Sequence, residues 1–108
     1  TIGVGTASVV SDLFKTLSES LSDVEFGAHL HTLPENAAEM VSAAYKAGCR
    51  RFDGAIRGFG GCPMAADDLI GNMPTERMID WFDKNQIKTG INQNKFSVAM
   101  EKAISVFP

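Results

Sequence analysis

The sequence contains few cysteines, no excess of basic charge and no long apolar run, and each shortage excludes a class of protein. Two cysteines in 108 residues are too few for a disulfide framework, so we expect a reduced, cytoplasmic setting. A net charge of −3 argues against a nucleic-acid surface, which is normally basic. The ten lysines and arginines are scattered, which argues against a membrane-binding patch. No apolar stretch approaches the roughly 18 residues of a transmembrane helix.

The beginning of the chain also lacks familiar signals. There is no initiator methionine, and the first residues carry neither the basic region nor the apolar run of a signal peptide. The opening stretch TIGVGT reads like the interior of a longer protein, so we expect residues 1–108 to be a fragment. No linker, low-complexity stretch or internal repeat divides it.

The spacing of apolar residues predicts an alternation of helices and strands. Helices are predicted over 8–21, 34–48 and 75–85, and a fourth helix is predicted after a turn within 88–107. Strands are predicted over 24–32 and 49–56. Thr6 or Ser8 is the expected cap of the first helix, and Thr75 that of the third. Such alternation indicates α/β units with parallel strands. Two or three strands cannot complete a barrel, so we expect the sheet edges to be covered by missing segments or by partners.

The two histidines of the chain, His29 and His31, lie two residues apart near the end of the first predicted strand. Residues at this spacing point to the same face of a strand, as two ligands of one metal ion must. Ligand sites of parallel α/β folds lie at the carboxyl ends of the strands, which favours this interpretation. The alternative is that both histidines simply fill half-polar strand positions.

Asn72 and Glu76 form a second group of polar residues. The amide oxygen of Asn72 is a suitable ligand for a hard cation. Glu76 falls in the first turn of a predicted helix, where the helix dipole favours a carboxylate. The alternative for Glu76 is a capping box with Thr75 or a residue near it.

The stretch GFGGCPMAADDLIGN, residues 58–72, places Cys62 in a glycine-rich loop. Ordering such a backbone costs entropy, so a thiol gains little there unless something binds. Gly60 and Gly61 would let the loop close over a substrate. The alternative is a flexible turn with an incidental cysteine, whereas Cys49 is expected to be a small buried residue.

Two further charged residues lie near the predicted site. Asp53 ends the second predicted strand, where it would either orient a ligand or satisfy backbone donors. Arg57 would either approach an acidic group of a substrate or remain solvated.

Five segments, TIGVGT, HLHT, GFGGCP, GNMPTE and KTGIN, occur in the order and near the spacing of the C-terminal part of 3-hydroxy-3-methylglutaryl-CoA (HMG-CoA) lyases. The chain resembles that family from Thr1 to about Phe96. GGCP separates it from related isopropylmalate and homocitrate synthases, which tend to carry a Gly-Glu-Arg type of sequence there. The chain departs from the family at Leu30 and Thr32, because HLHT stands where members often show His-Cys-His-Asp.

The resemblance implies a fold and a set of roles. The fold would be an incomplete (β/α)8 TIM barrel, with this chain as its C-terminal strands and helices. His29, His31 and Asn72 match the family's ligands of Mg²⁺ or Mn²⁺, although two imidazoles by themselves also suit Fe²⁺ or Zn²⁺. Cys62 matches the reactive cysteine of the mobile loop, and Glu76 matches a carboxylate linked to catalysis.

The implied reaction is the cleavage of HMG-CoA, an acyl-CoA substrate, to acetyl-CoA and acetoacetate, as in leucine degradation. The alternative is a related metal-dependent acyl-CoA synthase or aldolase, and a third hypothesis is a non-enzymatic half-barrel that assembles with itself. The family is often homodimeric, and a eukaryotic member would lie in the mitochondrial matrix. The fragment alone is expected to be inactive, since the rest of the barrel must supply further ligands.

Overall fold

The computed structural model of the chain describes residues 2–61 and 70–107. Its elements follow the predicted order of helix, strand, helix, strand, loop, helix and helix. They are α1 (Ala7–Ser20), β1 (Gly27–His29), α2 (Ala37–Lys46), β2 (Arg51–Asp53), α3 (Thr75–Lys84) and α4 (Gln93–Val106). Short 3₁₀ turns lie at Pro34–Asn36 and Ile56–Gly58.

The two strands form a parallel sheet, which confirms the predicted α/β unit. In its register Ala28 pairs with Phe52 and His29 with Asp53. Each strand has three residues, fewer than the predicted 24–32 and 49–56. The reason is that an alternating pattern becomes a strand only where a neighbouring backbone completes its hydrogen bonds. Within the described residues, each strand has a neighbouring strand on one side only.

The helix termini agree with the predicted caps in one case and not in another. The Thr6 side chain caps α1 by accepting from the backbone amide of Val9 at 3.4 Å. The predicted cap at Thr75 is wrong, because α3 begins at Thr75 and Pro74 takes the N-cap position without a side-chain hydrogen bond. The amide of Thr75 instead donates to the carbonyl of Ala55 at 3.0 Å, which joins the helix start to the end of β2.

The core lies between one face of the sheet and the helices α1, α2 and α3. Alternation along β1 and the residue after it sends Ala28 and Leu30 into this core while His29 stays on the other face. The apolar stripes of the helices supply most of the remaining buried side chains: Val10, Phe14, Met40, Val41, Ala44, Met78 and Phe82. The sheet face that carries His29 and Asp53 is therefore left exposed.

Several large apolar side chains are exposed among the described residues. On α1, Val9 is 59% and Leu13 is 53% exposed, although both belong to the apolar spacing that predicted this helix. On α4, Val98 and Ile104 are also exposed. The described part of the chain contains no helix that is both long enough and apolar enough to cross a membrane.

Candidate active site

The two histidines lie side by side at the carboxyl end of β1. Their ring centroids are 5.6 Å apart, and both residues alternate with the buried Ala28, Leu30 and Thr32. The pair is therefore on the same face of the extended chain, as predicted.

The imidazole of His31 has a defined tautomer. Its Nδ1 lies 3.2 Å from the carbonyl oxygen of Ile70. A carbonyl oxygen only accepts, so Nδ1 carries the proton and a neutral ring has its lone pair on Nε2. Histidines that bind metals commonly donate their other nitrogen to a carbonyl or carboxylate in this way, because the contact orients the ring.

Asp53 lies beside His29 because the two residues are register partners on β1 and β2. Oδ2 of Asp53 is 3.8 Å from Nδ1 of His29, and the side chains are 49% and 58% exposed respectively. The distance is too long for a direct hydrogen bond. The Asp53 carboxylate nevertheless lies next to the His29 imidazole, and of the two roles predicted for Asp53 this position suits the orientation of a ligand.

Asn72 reaches the site on a segment that runs between the ends of the two strands. The amide of Met73 donates to the carbonyl of Leu30 at 2.9 Å, and the amide of Ala55 donates to the carbonyl of Met73 at 3.0 Å. Asn72 itself forms an antiparallel bridge with His31. Bridge partners project to the same side, so the Asn72 side chain is brought to the histidine face.

The side-chain amide of Asn72 is held by the glycine-rich segment. Its Nδ2 donates to the carbonyl of Phe59 at 2.7 Å and to that of Gly60 at 3.1 Å. Both hydrogens of the amide nitrogen are thereby used. The orientation of the amide is fixed, with Oδ1 as its remaining acceptor.

The glycines around Asn72 allow two backbones to approach closely. Gly58 and Gly60 have φ values of 69° and 96°, which favour glycine. A Cβ on Gly71 would lie 2.4 Å from the carbonyl oxygen of Gly58, and one on Gly60 would lie 2.6 Å from Nδ2 of Asn72. These glycines therefore have a packing reason in addition to the loop movement expected from the sequence. Gly61 forms a bridge with Gly71 in the same region.

Glu76 contacts the start of the glycine-rich segment. Its Oε2 accepts from the backbone amide of Arg57 at 3.0 Å. The capping box proposed as the alternative for Glu76 is wrong, since the N-cap of α3 has no side-chain hydrogen bond. The Glu76 carboxylate binds the turn Ile56–Gly58 instead of the start of its own helix, because this turn packs against α3.

Arg57 adopts a left-handed backbone with φ of 57° and ψ of 16°. A non-glycine residue in this region costs about 1–3 kcal/mol and needs support from its surroundings. The guanidinium lies over the ring of Phe59, 5.3 Å from its centroid. On the same ring, Phe107 at the end of α4 stacks at 4.7 Å between centroids.

The two cysteines differ in what the structure shows. Cys62 lies outside the described residues, as do Asp67 and Asp68. Cys49 is buried, as predicted, and its Sγ donates to the carbonyl of Arg51 at 3.0 Å. Burial, as the largest cause, raises the pKa of the Cys49 thiol.

The chemistry of the assembled donors fits part of a divalent metal site. Two imidazoles and an amide oxygen are ligands that Mn²⁺ and similar cations accept. Over residues 2–61 and 70–107, no three side chains of His, Cys, Asp or Glu are grouped so that they could hold a cation by themselves. A cation held by His29, His31 and Asn72 would have three ligands from the described residues, and its remaining ligands would come from elsewhere.

A cleft of about 760 Å³ lies beside β2, between α2, α3 and the segment 87–91. Phe52, Phe82 and Ile87 are among its apolar lining residues, and Asp53 also lines it. His29, His31 and Asn72 do not line this cleft. The candidate site thus rests on the arrangement of donor groups and not on a cavity.

Sequence reasoning did not find the backbone partners of the site. The Arg57 amide and the carbonyls of Phe59 and Gly60 take part through the main chain, so the identity of their side chains carries no signal. The glycines at 58, 60 and 71 were the available signal, because closely spaced glycines accompany close backbone approach.

Comparisons with known proteins identify the family of the chain. The family model described as HMGL-like matches residues 1–102. The (R)-citramalyl-CoA lyase of Chloroflexus aurantiacus is 31% identical over 101 residues, which are 94% of this chain and 32% of that protein.

Two solved structures show the same fold over nearly the whole chain. The HMG-CoA lyase of Bacillus subtilis matches with a TM-score of 0.81 and 27% identity, covering 95% of this chain and 34% of its own. An HMG-CoA lyase from Acinetobacter baumannii, in complex with coenzyme A and 3-methylmalate, matches with a TM-score of 0.75 and 31% identity, covering 87% and 30%.

The chain spans about a third of the length of these relatives, as the 32% coverage of the citramalyl-CoA lyase shows. Its two-stranded parallel sheet and flanking helices are consistent with part of a TIM barrel. These relatives are named as lyases of citramalyl-CoA and of HMG-CoA. The match over residues 1–102 shows that the chain belongs to the HMGL-like family.

Proposed function

We propose that the chain forms part of the active site of a carbon–carbon lyase that cleaves HMG-CoA to acetyl-CoA and acetoacetate. The observation that carries the proposal is the convergence of His29, His31 and Asn72 at the carboxyl end of β1. The HMG-CoA lyases among the structural relatives support the choice of reaction.

The proposed architecture is the C-terminal portion of a (β/α)8 barrel, with residues 1–108 supplying strands and helices of its second half. The parallel pairing of β1 and β2 and the site at their carboxyl ends support it. After α3 the chain returns beside β2, where Ile87 and Lys88 line the same cleft as Phe52. A further parallel strand would lie there in the complete barrel.

Cleavage breaks the bond between C2 and C3 of the substrate. A base takes the proton of the C3 hydroxyl, and a carbonyl group forms at C3 as the bonding electrons pass to C2. The acetyl-CoA enolate that results is then protonated at C2. No oxidant or reductant is needed, and the products are acetyl-CoA and acetoacetate.

His29, His31 and Asn72 would hold Mg²⁺ or Mn²⁺. When bound, the cation would supply Lewis acidity toward the C3 oxygen and lower the pKa of the alcohol. His31 keeps its proton on Nδ1 through the carbonyl of Ile70. Asp53, 3.8 Å from His29, would orient that imidazole.

The glycine-rich segment would exclude water and carry the thiol. Gly60 and Gly61 would let residues beyond them close over the acyl-CoA, and Arg57 would face an acidic group of the substrate. Cys62 would exchange a proton near C2, where the departing acetyl group gains charge. Self-association of two copies, as is common in the family, is part of the same proposal.

A second candidate substrate is citramalyl-CoA. The observation in its favour is the citramalyl-CoA lyase at 31% identity over 94% of this chain. The two substrates differ in the groups attached to the carbon that bears the hydroxyl. Both reactions would break the bond between the hydroxyl-bearing carbon and the carbon that becomes C2 of acetyl-CoA. Both would need the same metal ligands, His29, His31 and Asn72.

The test is a cleavage assay of the full-length protein with HMG-CoA and with citramalyl-CoA, each with Mg²⁺ or Mn²⁺. We expect acetyl-CoA from HMG-CoA at a higher kcat/KM than from citramalyl-CoA. The His31→Ala variant should lose Mn²⁺ affinity by about 10-fold or more, because one ligand is removed. Glu101→Gln, an exposed change on α4, is the matched control.

Three outcomes decide between the alternatives. Preferential cleavage of citramalyl-CoA would move the assignment to the second candidate. Condensation of acetyl-CoA with a 2-oxo acid, with no carbon–carbon cleavage of HMG-CoA or citramalyl-CoA, would favour a synthase and overturn the proposal. Unchanged Mn²⁺ affinity in His31→Ala would remove the metal role of the histidine pair.

A further inference from the structure

The Glu76 carboxylate contacts the backbone of the glycine-rich segment. Glu76 lies in the first turn of α3, where the helix dipole stabilises its negative charge. Its Oε2 accepts from the Arg57 amide at 3.0 Å. A hydrogen bond between an amide and a carboxylate is stronger than one between neutral groups.

The residue that Glu76 holds has an unfavourable backbone conformation. Arg57 has φ of 57° within the turn Ile56–Gly58. Such a conformation persists in a residue with a side chain only where neighbouring groups fix it. Glu76 supplies one such group from a different element, 19 residues along the chain.

The same turn packs against the segment that carries Asn72. A Cβ on Gly58 would lie 2.8 Å from the carbonyl oxygen of Asn72, so the two backbones are in direct contact. The next residues, Phe59 and Gly60, accept both hydrogens of the Asn72 side-chain amide. A shift of the turn would therefore move the groups that orient Asn72.

We infer that Glu76 is a positioning residue whose carboxylate holds the left-handed turn at Arg57 and, through Phe59 and Gly60, fixes the amide of Asn72. In this role Glu76 acts through the main chain, by the hydrogen bond that its Oε2 accepts from the Arg57 amide. The inference rests on the proposed function only in treating Asn72 as a metal ligand. Its structural half, from Glu76 to the turn, stands independently of any reaction.

The experiment compares Glu76→Ala and Glu76→Gln in the full-length protein by hydrogen exchange and by Mn²⁺ titration. Without metal, Glu76→Ala should speed exchange in peptides covering 55–61 and 70–74 by about 10-fold, because the supporting hydrogen bond is lost. Affinity for Mn²⁺ should fall by about 10-fold. Glu76→Gln keeps an acceptor oxygen and should stay within about 3-fold of wild type.

A double-mutant cycle with Arg57→Gly tests the strain directly. Glycine adopts the left-handed turn without cost, so the turn no longer needs Glu76. The effect of Glu76→Ala on exchange and on Mn²⁺ affinity should shrink to less than about 3-fold in the Arg57→Gly background. Asp80→Ala, which removes an exposed carboxylate of the same helix, controls for the loss of charge.

Two results would overturn the inference: unchanged exchange in Glu76→Ala, or a Glu76→Gln variant as impaired as Glu76→Ala. The second would indicate that the charge or proton of Glu76 matters and not its acceptor oxygen. A failure of the proposed function is separate. Wild-type protein that binds no Mn²⁺ and cleaves no acyl-CoA would refute that function, while the exchange data would still decide the role of Glu76.

Discussion

Gly60 and Gly90 both have a positive φ, yet their surroundings differ. A Cβ on Gly60 would lie 2.6 Å from Nδ2 of Asn72, whereas one on Gly90 would meet nothing within 4 Å. The two positions therefore separate the cost of a left-handed backbone from the cost of displacing a neighbour. At Gly60 that neighbour is the side-chain amide of a proposed metal ligand.

We predict that Gly60→Ala lowers the Mn²⁺ affinity of the full-length protein by about 10-fold, because the Asn72 amide must move. Gly90→Ala is the matched control. It should lose about 1–2 kcal/mol of unfolding free energy for its left-handed backbone but keep its Mn²⁺ affinity. Denaturant unfolding and Mn²⁺ titration measure the two effects, and equal affinities in both variants would contradict the prediction.

Cys49 illustrates how burial changes the reactivity of a single side chain. It is 2% exposed, and burial raises the pKa of its thiol. A smaller fraction of thiolate forms at a given pH, and a reagent cannot reach it. We predict that Cys49 in the folded Cys62→Ser variant reacts with a disulfide reagent at about pH 8 at least 10-fold more slowly than Cys49 in the same variant unfolded by denaturant. Equal rates would show that Cys49 is accessible.

At the scale of elements, α1 is stabilised both by a local cap and by tertiary packing. The Thr6 cap satisfies an amide at the helix start, and the buried side chains of Val10 and Phe14 attach the helix to the core. The cap is encoded in the sequence next to the helix. The attachment depends on α2, which packs against α1.

We predict that Thr6→Ala lowers the free energy of unfolding by about 1 kcal/mol, because the amide of Val9 loses its partner. Thr6→Ser should retain most of the stability. Thr16→Ala makes the same chemical change at an exposed position inside α1 and should be neutral or slightly stabilising, since alanine favours helices. Denaturant unfolding of the three variants checks the order, and an equal loss in Thr16→Ala would argue against a capping effect.

At the scale of the whole molecule, the described chain is less compact than a typical domain of its length. Its radius of gyration is 14.4 Å, against roughly 13 Å expected for a chain of this size. The two-stranded sheet leaves one face and both outer edges without further strands among the described residues. The exposed apolar residues of α1 and α4 agree with surfaces that other segments would cover.

We predict that the isolated 108-residue chain shows no lyase turnover with HMG-CoA and Mg²⁺. The physical reason is that a cation held by His29, His31 and Asn72 would be short of protein ligands, since among the described residues no group of three His, Cys, Asp or Glu side chains could hold one. Size-exclusion chromatography of the same sample reports self-association. A stable assembly with turnover near that of a complete enzyme would contradict the prediction and support the self-assembling half-barrel.

Patterns within the sequence were sufficient to predict the order of the elements. Helical and period-two spacing gave four helices and two strands in the order that the structure has, because apolar periodicity follows directly from helix and strand geometry. The same-face placement of His29 and His31 also followed from strand geometry alone. The resemblance to a lyase family was visible because GGCP and HLHT contain the candidate reactive cysteine, Cys62, and the candidate metal ligands, His29 and His31.

The tertiary structure alone decided which groups meet. The lengths of β1 and β2 depend on neighbouring backbones, and the pairing of Asp53 with His29 depends on the register between strands. Glu76 fits a helix cap by its position, but the structure gives it the Arg57 amide. Such contacts join main-chain groups far apart in the chain, and main-chain groups are the same in every residue, so no local pattern encodes them.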